Sequence, residues 1–259
     1  MQNEEQLFKT VEQLRRNRFD VILAENARDA ADKMLEIISS NSTIGVANSV
    51  TIRQTGILEA LAKRGNTVLD PIAMGYGTVE FDEEIFQKIN RSSTDADVFL
   101  SGTNAVTEDG KLVNIDGMGN RVTGIIWNPG LSIVVVSKNK IVKDVDSAIY
   151  RIKNIVTPTF ARQRNLTLPC AKAGKCVDCN VPERACNITM ILDKKPGLKE
   201  LKVVMIKEDL GLGWDKEWPV ERIDDIKRKY EQFDRPYCED FQNYKKSMQN
   251  SQSKANNGA

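Results

Sequence analysis

Short β-rich apolar runs alternate with helical segments along most of the 259-residue chain, and no other feature constrains the fold as strongly. Predicted strands cover residues 19–24, 43–46, 67–69, 96–101, 112–115, 124–127, 132–137 and 201–206. Predicted helices cover residues 27–38, 50–62, 80–89 and 144–164, with one more at the N-terminus and one after Pro219. Strands that alternate with helices of about 10–15 residues are typical of an α/β fold. We therefore predict a Rossmann-like, mostly parallel sheet flanked by helices.

The pattern predicts one α/β domain over residues 1–244, which is long enough to bury a substantial core. Residues 165–200 contain most of the cysteines and show little periodicity. We interpret this segment as a Cys-rich insertion or edge structure within the domain. Residues 245–259 are a polar tail that we predict to be disordered.

The chain has no histidine, and its 37 Lys and Arg residues balance 36 Asp and Glu residues. Imidazole is the usual base near neutral pH and the commonest metal ligand. Ser-His-Asp and Cys-His nucleophile systems, His zinc sites and His-ligated haem are therefore excluded within this chain. Acid–base chemistry must fall to carboxylates, Lys, Tyr, Cys or water. The balanced charge argues against a nucleic-acid partner.

The first twenty residues mix acids and bases and contain no apolar core of the kind that a signal peptide needs. No stretch approaches the roughly 20 apolar residues of a membrane span. We expect a cytoplasmic protein that does not interact with membranes. The N-terminal helix is a candidate contact for a homo-oligomer.

Four of the five cysteines have the spacing C-x5-C-x2-C-x6-C. They are Cys170, Cys176, Cys179 and Cys186. A C-x2-C pair lets two thiolates meet one metal without strain, and the outer cysteines can complete the site. A single such pair favours an iron–sulfur cluster, such as 4Fe–4S, because zinc ribbons usually have two. Zinc and unligated thiols remain alternatives.

Cations lie among the four cysteines, and we expect them to lower the pKa of the thiols. They are Lys172, Lys175 and Arg184. The fifth cysteine, Cys238, lies more than fifty residues away, and we interpret it as a small apolar side chain.

A polar segment follows the predicted strand at residues 43–46. In an open α/β sheet, ligands bind beyond the carboxyl ends of strands, where helix N-termini offer backbone N–H groups. Asn48, Ser49 and Thr51 occupy this place. They either cap the next helix or hold a phosphate or carboxylate. Neither a Walker loop nor a G-x-G-x-x-G fingerprint is present, so nucleotide binding by those routes is unsupported.

Residues 101–121 form a second, glycine-rich segment after a predicted strand. Glu108 and Asp116 are the candidate acid–base residues. The candidate ligand-binding residues are Asn104, Asn114, Gly117, Gly119 and Asn120. Glu108 also fits the tight turn of a hairpin, so it is either catalytic or a turn residue. The glycines after residue 116 suit the close approach of a ligand, which we predict to be a small anionic metabolite.

The run from Ala96 to Lys153, ADVFLSGTNAVTEDGKLVNIDGMGNR and onward, resembles the LUD-domain family of lactate-utilisation proteins. The following PCAKAGKCVDCNVPERACN is similar to the cysteine-bearing extension of one branch. The resemblance extends to about residue 232. It implies a fold similar to the sugar-phosphate isomerase and CoA-transferase superfamily. It also implies a role in oxidising lactate to pyruvate beside iron–sulfur partner subunits.

The pattern G-T-N-A-V-x-E-D-G-x-L-V-N is also similar to a loop of methylthioribose-phosphate isomerase relatives. Those proteins carry a catalytic Asp where Asn104 stands and an Asn that matches Asn114. Asn104 cannot transfer a proton, which disfavours sugar-phosphate isomerisation but not ligand binding. The turn at Glu108 resembles the catalytic glutamate turn of CoA transferases.

Two functions are therefore expected. The first is a component of organic-acid oxidation, and thus of an oxidoreductase, that carries a metal or iron–sulfur site on four cysteines. The second is a stand-alone transferase or isomerase that acts on a phosphorylated or CoA-linked small molecule through Glu108 or Asp116.

Overall fold

The computed structural model describes residues 2–74 and 83–234, and all structural statements below concern these residues. The strands are β1 Asp20–Ala24, β2 Thr43–Val46, β3 Thr67–Leu69, β4 Val98–Gly102, β5 Ala105–Thr107, β6 Leu112–Asp116, β7 Leu131–Ser137, β8 Ile141–Val142, β9 Ile188–Leu192 and β10 Leu201–Ile206. The helices are α1 Gln2–Arg16, α2 Ala27–Ile37, α3 Val50–Thr55, α4 Ile57–Arg64, α5 Glu83–Thr94, α6 Asn120–Trp127, α7 Val145–Arg151, α8 Thr157–Gln163, α9 Pro169–Ala173 and α10 Val220–Asp234. A π-helical turn, Ile152–Val156, joins α7 to α8. The predicted tail at 245–259, Cys238 and the predicted helix start at 80–82 lie outside the described residues.

Six parallel strands form the central sheet in the order β1-β10-β7-β4-β2-β3. Successive residues of β7 point to opposite faces, as strand geometry requires. Ile133 and Val135 pack with α2 and α4 on one face. Val134 and Val136 pack with α1 and α6 on the other. The predicted α/β architecture, with helices on both faces of a mostly parallel sheet, is confirmed.

A smaller sheet has the order β8-β5-β6-β9. The antiparallel pair β5 and β6 forms the predicted hairpin, and Gly110 takes a φ of 81° in its turn. This left-handed conformation favours glycine because a side chain would clash with the backbone. β9 comes from the cysteine-bearing segment and pairs antiparallel with β6 at the sheet edge. The segment thus supplies an edge strand.

The strand predicted at residues 124–127 is wrong, because these residues form the last turn of α6. A short apolar run does not distinguish a strand from a buried helical turn. Gly124 packs on the ring of Phe99, where an added Cβ would lie 2.2 Å from ring carbons. Trp127 is 82% exposed, which a central strand would not allow.

The chain reverses its direction of travel across the sheet next to β2. From β2 it moves outward to β3, and it then returns to β4, β7 and β10 on the other side. Such a switch point opens a crevice at the carboxyl ends of the strands, where α/β proteins bind ligands. No helix within the described ranges is long and apolar enough to cross a membrane.

Candidate functional site

A cavity of about 480 Å³ lies at the carboxyl edge of the central sheet. Its walls come from the loops after β2, β4, β7 and β10, from the end of β6, from the π-helical turn and from the cysteine segment. The sequence-predicted residues that line it are Asn48, Ser49, Thr51, Asn104, Asp116, Gly117 and Asn120. The structure therefore brings the two predicted polar segments together around one cavity. π-Helical turns are often found at functional sites.

Lys140, which sequence reasoning missed, lines this cavity although it is only 5% exposed. Its Nζ donates hydrogen bonds to Thr51 Oγ1 at 2.7 Å and to the Thr103 carbonyl at 3.2 Å. Burial, together with the positive charges of Arg121 and Arg151, lowers the pKa of Lys140 to about 7. Lys140 is therefore a buried amine that titrates near neutral pH.

A buried polar network fixes the backbone that carries Lys140. Asn139 Oδ1 accepts hydrogen bonds from Ser137 Oγ at 2.6 Å and from the Leu210 amide at 3.2 Å. Its Nδ2 donates to the Gly213 carbonyl at 3.0 Å, and Arg151 donates to its backbone carbonyl at 3.1 Å. Strand β7 ends at the polar residue Ser137, and the polar residues Lys138, Asn139 and Lys140 directly follow it. The strand-end rule that identified Ser49 and Asn104 applies equally here and would have found Lys140.

Gly211 lets the loop after β10 close over the amine. Its φ is 65°, and an added Cβ would lie 2.3 Å from Thr51 Oγ1 and 3.1 Å from Lys140 Nζ. Both the backbone conformation and the contact therefore require glycine at this position.

Asp116 caps the N-terminus of α6. Its Oδ2 accepts hydrogen bonds from the amides of Arg121, at 3.1 Å, and Val122, at 3.3 Å. The Arg121 guanidinium donates to the Asn48 carbonyl, and its buried Nε has no hydrogen-bond partner among the described residues. Burial lowers the pKa of Arg121 while the Asp116 charge opposes that shift. Asp116 thus lies in the cavity wall and also has a structural role.

Asn104 and Asn114 join the base of the β5–β6 hairpin. Asn104 Oδ1 accepts from the Ile115 amide at 2.9 Å, and Asn114 Oδ1 accepts from the Asn104 amide at 3.3 Å. Asn114 Nδ2 donates to Thr103 Oγ1 at 3.0 Å. Asn104 reaches the cavity, whereas Asn114 lies buried beneath it and Gly119 is not part of the wall.

Glu108 lies in the hairpin turn, exposed and outside the cavity wall. It accepts a hydrogen bond from Gln6 Nε2 of α1 at 2.7 Å. The turn accounts for its position, and a catalytic role for it stays a prediction.

The four cysteines of the insertion are free thiols gathered in one region. Burial raises the pKa of Cys170, and the charges of Cys179, Cys186 and Cys176 raise it further, so all four lie within electrostatic range. The amide of Asp178 donates to Cys176 Sγ at 3.4 Å, a bond type that tunes ligating sulfurs. As placed, no group of three or more Cys, Asp or Glu side chains in the described ranges forms a metal-binding arrangement. By ligand type the four thiols fit a soft metal, and closing on one requires them to move together.

The expected effect of a neighbouring cation is present at Cys186, where Arg184 lowers the thiol pKa, but burial dominates both there and at Cys170. Burial raises the pKa of both thiols, and at Cys186 it outweighs the hydrogen bond with Thr157 and the charges of Arg184 and Lys153, which lower the pKa. Without a metal, these two sulfurs are therefore protonated thiols near neutral pH.

The cysteine segment forms one wall of the cavity. The wall includes residues 182–185, between Cys179 and Cys186. Arg184 ties this loop together, because it donates to the carbonyls of Cys179 and Cys186 and pairs with Asp178 at 2.8 Å. Asn154 of the π-helical turn accepts from the Cys176 amide at 3.2 Å. A rearrangement of the thiols would therefore reach the cavity directly.

Comparison with known proteins gives a family and a structural relative. The crystal structure of a DUF162 family protein from Deinococcus radiodurans is similar over 80% of this chain and 99% of that chain, with 11% identity and a TM-score of 0.47. Comparison with curated protein sequences gives no match. The family model described as the LUD domain matches residues 7–206. Because that match covers most of the 259 residues, the chain belongs to the LUD domain family.

Proposed function

We propose that this chain binds a small anionic metabolite in the cavity and serves as a cytoplasmic component of organic-acid oxidation, lactate to pyruvate. The observation that carries the proposal is the pair of cationic side chains in the cavity wall. Lys140 and Arg121 donate hydrogen bonds to neutral oxygens, namely Thr51 Oγ1, the Thr103 carbonyl and the Asn48 carbonyl. These bonds provide no negative charge, and in the described part of the chain Asp116 is the one carboxylate whose charge acts on Arg121. An anion in the cavity would therefore stabilise the charged forms of both side chains.

The size and place of the cavity support a small acid as the ligand. Small-molecule sites have volumes of about 300–1,000 Å³ and lie at the switch points of α/β sheets. The cavity lies at such a point and is toward the lower end of that range. A carboxylate paired with an arginine and a lysine is a recurrent solution for binding such acids.

The four cysteines support an electron-transfer or structural role next to this ligand. Four thiolates can hold an iron–sulfur cluster, which supplies one-electron transfer, or zinc, which cross-links the loop. Cys170, Cys176, Cys179 and Cys186 are the residues that would hold either group. The sequence has no recognisable flavin or nicotinamide motif, so lactate oxidation requires a partner, which we propose to be an iron–sulfur subunit.

One observation favours a second candidate function. A neutral lysine amine is a competent base near pH 7, and Lys140 lines the same cavity as Asp116. These groups suit a transferase or isomerase that acts on a phosphorylated or CoA-linked small molecule. Glu108 lies outside the cavity, so this candidate would work through Asp116 and Lys140.

Anaerobic purification followed by metal and sulfide analysis tests the cysteine part of the proposal. We expect one metal centre per chain in the wild-type protein and in Cys238→Ser, and none in Cys176→Ser/Cys179→Ser. One equivalent of zinc without broad visible absorption would contradict the iron–sulfur assignment.

Lactate oxidation with an artificial acceptor tests the pathway. We expect turnover only when co-purified partner subunits are present, and we expect Lys140→Met to reduce it. Turnover by the isolated chain would contradict the need for a partner. Turnover of a phosphorylated or CoA-linked compound without any electron acceptor would favour the second candidate.

A further inference from the structure

Two hydrogen bonds fix the Lys140 amine and leave one position of its nitrogen for the cavity. Nζ donates to Thr51 Oγ1 at 2.7 Å and to the Thr103 carbonyl at 3.2 Å. A neutral amine has two N–H donors and a lone pair, whereas an ammonium group has three donors. The two bonds therefore suit both forms. The third position holds a lone pair in the neutral form and an N–H donor in the charged form.

The titratable groups around the amine come from several elements. They are Arg121 of α6, Arg151 of α7, Asp116 at the end of β6, Asp215 beside Arg151 and Tyr230 of α10. Of these, the two arginines act on the amine, while Asp116 and Asp215 act on the arginines. The amine thus faces cations in a buried place, and both influences favour its neutral form in the free protein.

We propose that an anion enters the cavity together with one proton, which Lys140 accepts from solvent. This inference rests on the proposed anion site. The lone pair of the amine takes the proton, and the resulting third N–H donates to the anion. A neutral amine, a proton and an anion give an ammonium–anion pair, so charge and atoms balance and no electrons are transferred. The ligand class is a small acid with a carboxylate, sulfate or phosphate group.

The proposal gives anion affinity a defined pH dependence. The pKa of Lys140 is about 7 in the free protein, and the bound anion raises it. Between these two values, binding takes up a proton, so affinity falls by up to about tenfold for each pH unit of increase. Below pH 7 the amine is already charged, and affinity becomes independent of pH.

Isothermal titration calorimetry of the full-length protein, with its metal as purified, tests this proton uptake. The probes are acetate, lactate, pyruvate and sulfate, none of which titrates near neutral pH. Each is measured at pH 8 in buffers with different heats of ionisation. We expect the observed heat to depend on the buffer, with uptake of roughly one proton per anion. We also expect about tenfold weaker binding at pH 9 than at pH 8.

Two variants test whether Lys140 is the group that takes up the proton. The wild-type measurement of proton uptake can be interpreted without them. Lys140→Met should bind the probes more weakly and without proton uptake. Lys140→Arg keeps a permanent charge and should bind, if it folds, with no uptake and a flat pH profile. Wild-type binding without proton uptake would overturn the inference but leave the anion site intact. Failure of every probe to bind would overturn both.

Discussion

Two walls of the same cavity are built in different ways. The floor around Lys140 is buried, and Thr51, Thr103 and Asn139 are each at most 1% exposed. Hydrogen bonds from three different loops meet there. Of the four cysteines in the cysteine wall, only Cys170 is buried, and the one helix of this wall, α9, has five residues. The sheet specifies the floor by packing, whereas the cysteine wall has only a small apolar cluster around Leu168 and Cys170.

This difference predicts unequal local stability. Segments with few buried contacts open locally without unfolding the whole domain. A metal centre would give the cysteine wall the cross-link that packing does not supply. Four changes to the protein probe this difference in stability, and metal removal should have the largest effect.

Removal of the proposed metal should open the cysteine wall and leave the floor closed. With a chelator, we expect amide hydrogen exchange in residues 169–187 to rise by about a thousandfold, or about 4 kcal/mol of local stability. Exchange in β7 and β10 should not change. Cys238→Ser, treated identically, should behave as the wild-type protein. Unchanged exchange in residues 169–187 would show that packing alone holds this wall.

Replacing one asparagine in each wall by alanine compares the stability of the two walls in a way that does not depend on metal removal. Asn139→Ala should lower the free energy of unfolding by about 3 kcal/mol, because it leaves several buried polar groups without partners. Asn187 also makes two side-chain hydrogen bonds, to the carbonyls of Gly117 and Arg184, but it is exposed. Asn187→Ala should cost less than about 1 kcal/mol. Urea denaturation followed by circular dichroism measures both, and equal losses would contradict the comparison.

The stability of the floor should depend on pH through Lys140. Its pKa is about 7 in the folded protein and 10.5 in the unfolded chain. Between these values the unfolded state binds more protons, so wild-type stability should rise with pH, by at most about 1.4 kcal/mol per unit. Lys140→Met lacks this contribution. Its stability advantage over the wild-type protein should therefore be largest below pH 7 and shrink towards pH 9.

Urea denaturation of both proteins at several values of pH measures this difference. Lys199, whose pKa is lowered to about 8 by burial, contributes to both curves and cancels in the comparison. A difference that stays constant from pH 6 to pH 9 would show that Lys140 has an ordinary pKa.

The same contrast explains what the sequence predicts well. The parallel strands and most helices follow from apolar periodicity, because both faces of the central sheet are covered and the strands are continuous apolar runs. The polar residues at the ends of β2 and β4 line one cavity for a general reason, since every parallel strand ends at the same edge. The prediction of a strand at Gly124–Trp127 was wrong because four residues are too few to distinguish the period of a strand from that of a helix.

The role of single side chains could not be predicted in this way. Lys140 is buried only because Thr51, Thr103 and the turn at Gly211 surround it, and these residues are distant in sequence. Asp116 carries a carboxylate and so was a candidate acid–base residue. Its hydrogen bonds to the amides of α6 depend on where that helix begins, which the sequence alone does not show. Periodicity reports which face is buried, but it does not report which polar groups meet there.

Glu108→Gln should have the smallest effect of the four. The side chain is exposed, lies outside the cavity wall and makes one hydrogen bond, to Gln6, which a glutamine can also accept. We expect less than about 0.5 kcal/mol of change in unfolding free energy, as for most surface substitutions. The affinity for the anionic probes should stay within about twofold, while Lys140→Met in the same assay loses much more. A tenfold or larger drop in binding or turnover would instead make Glu108 part of the site, and the cavity would then have to extend to the hairpin turn.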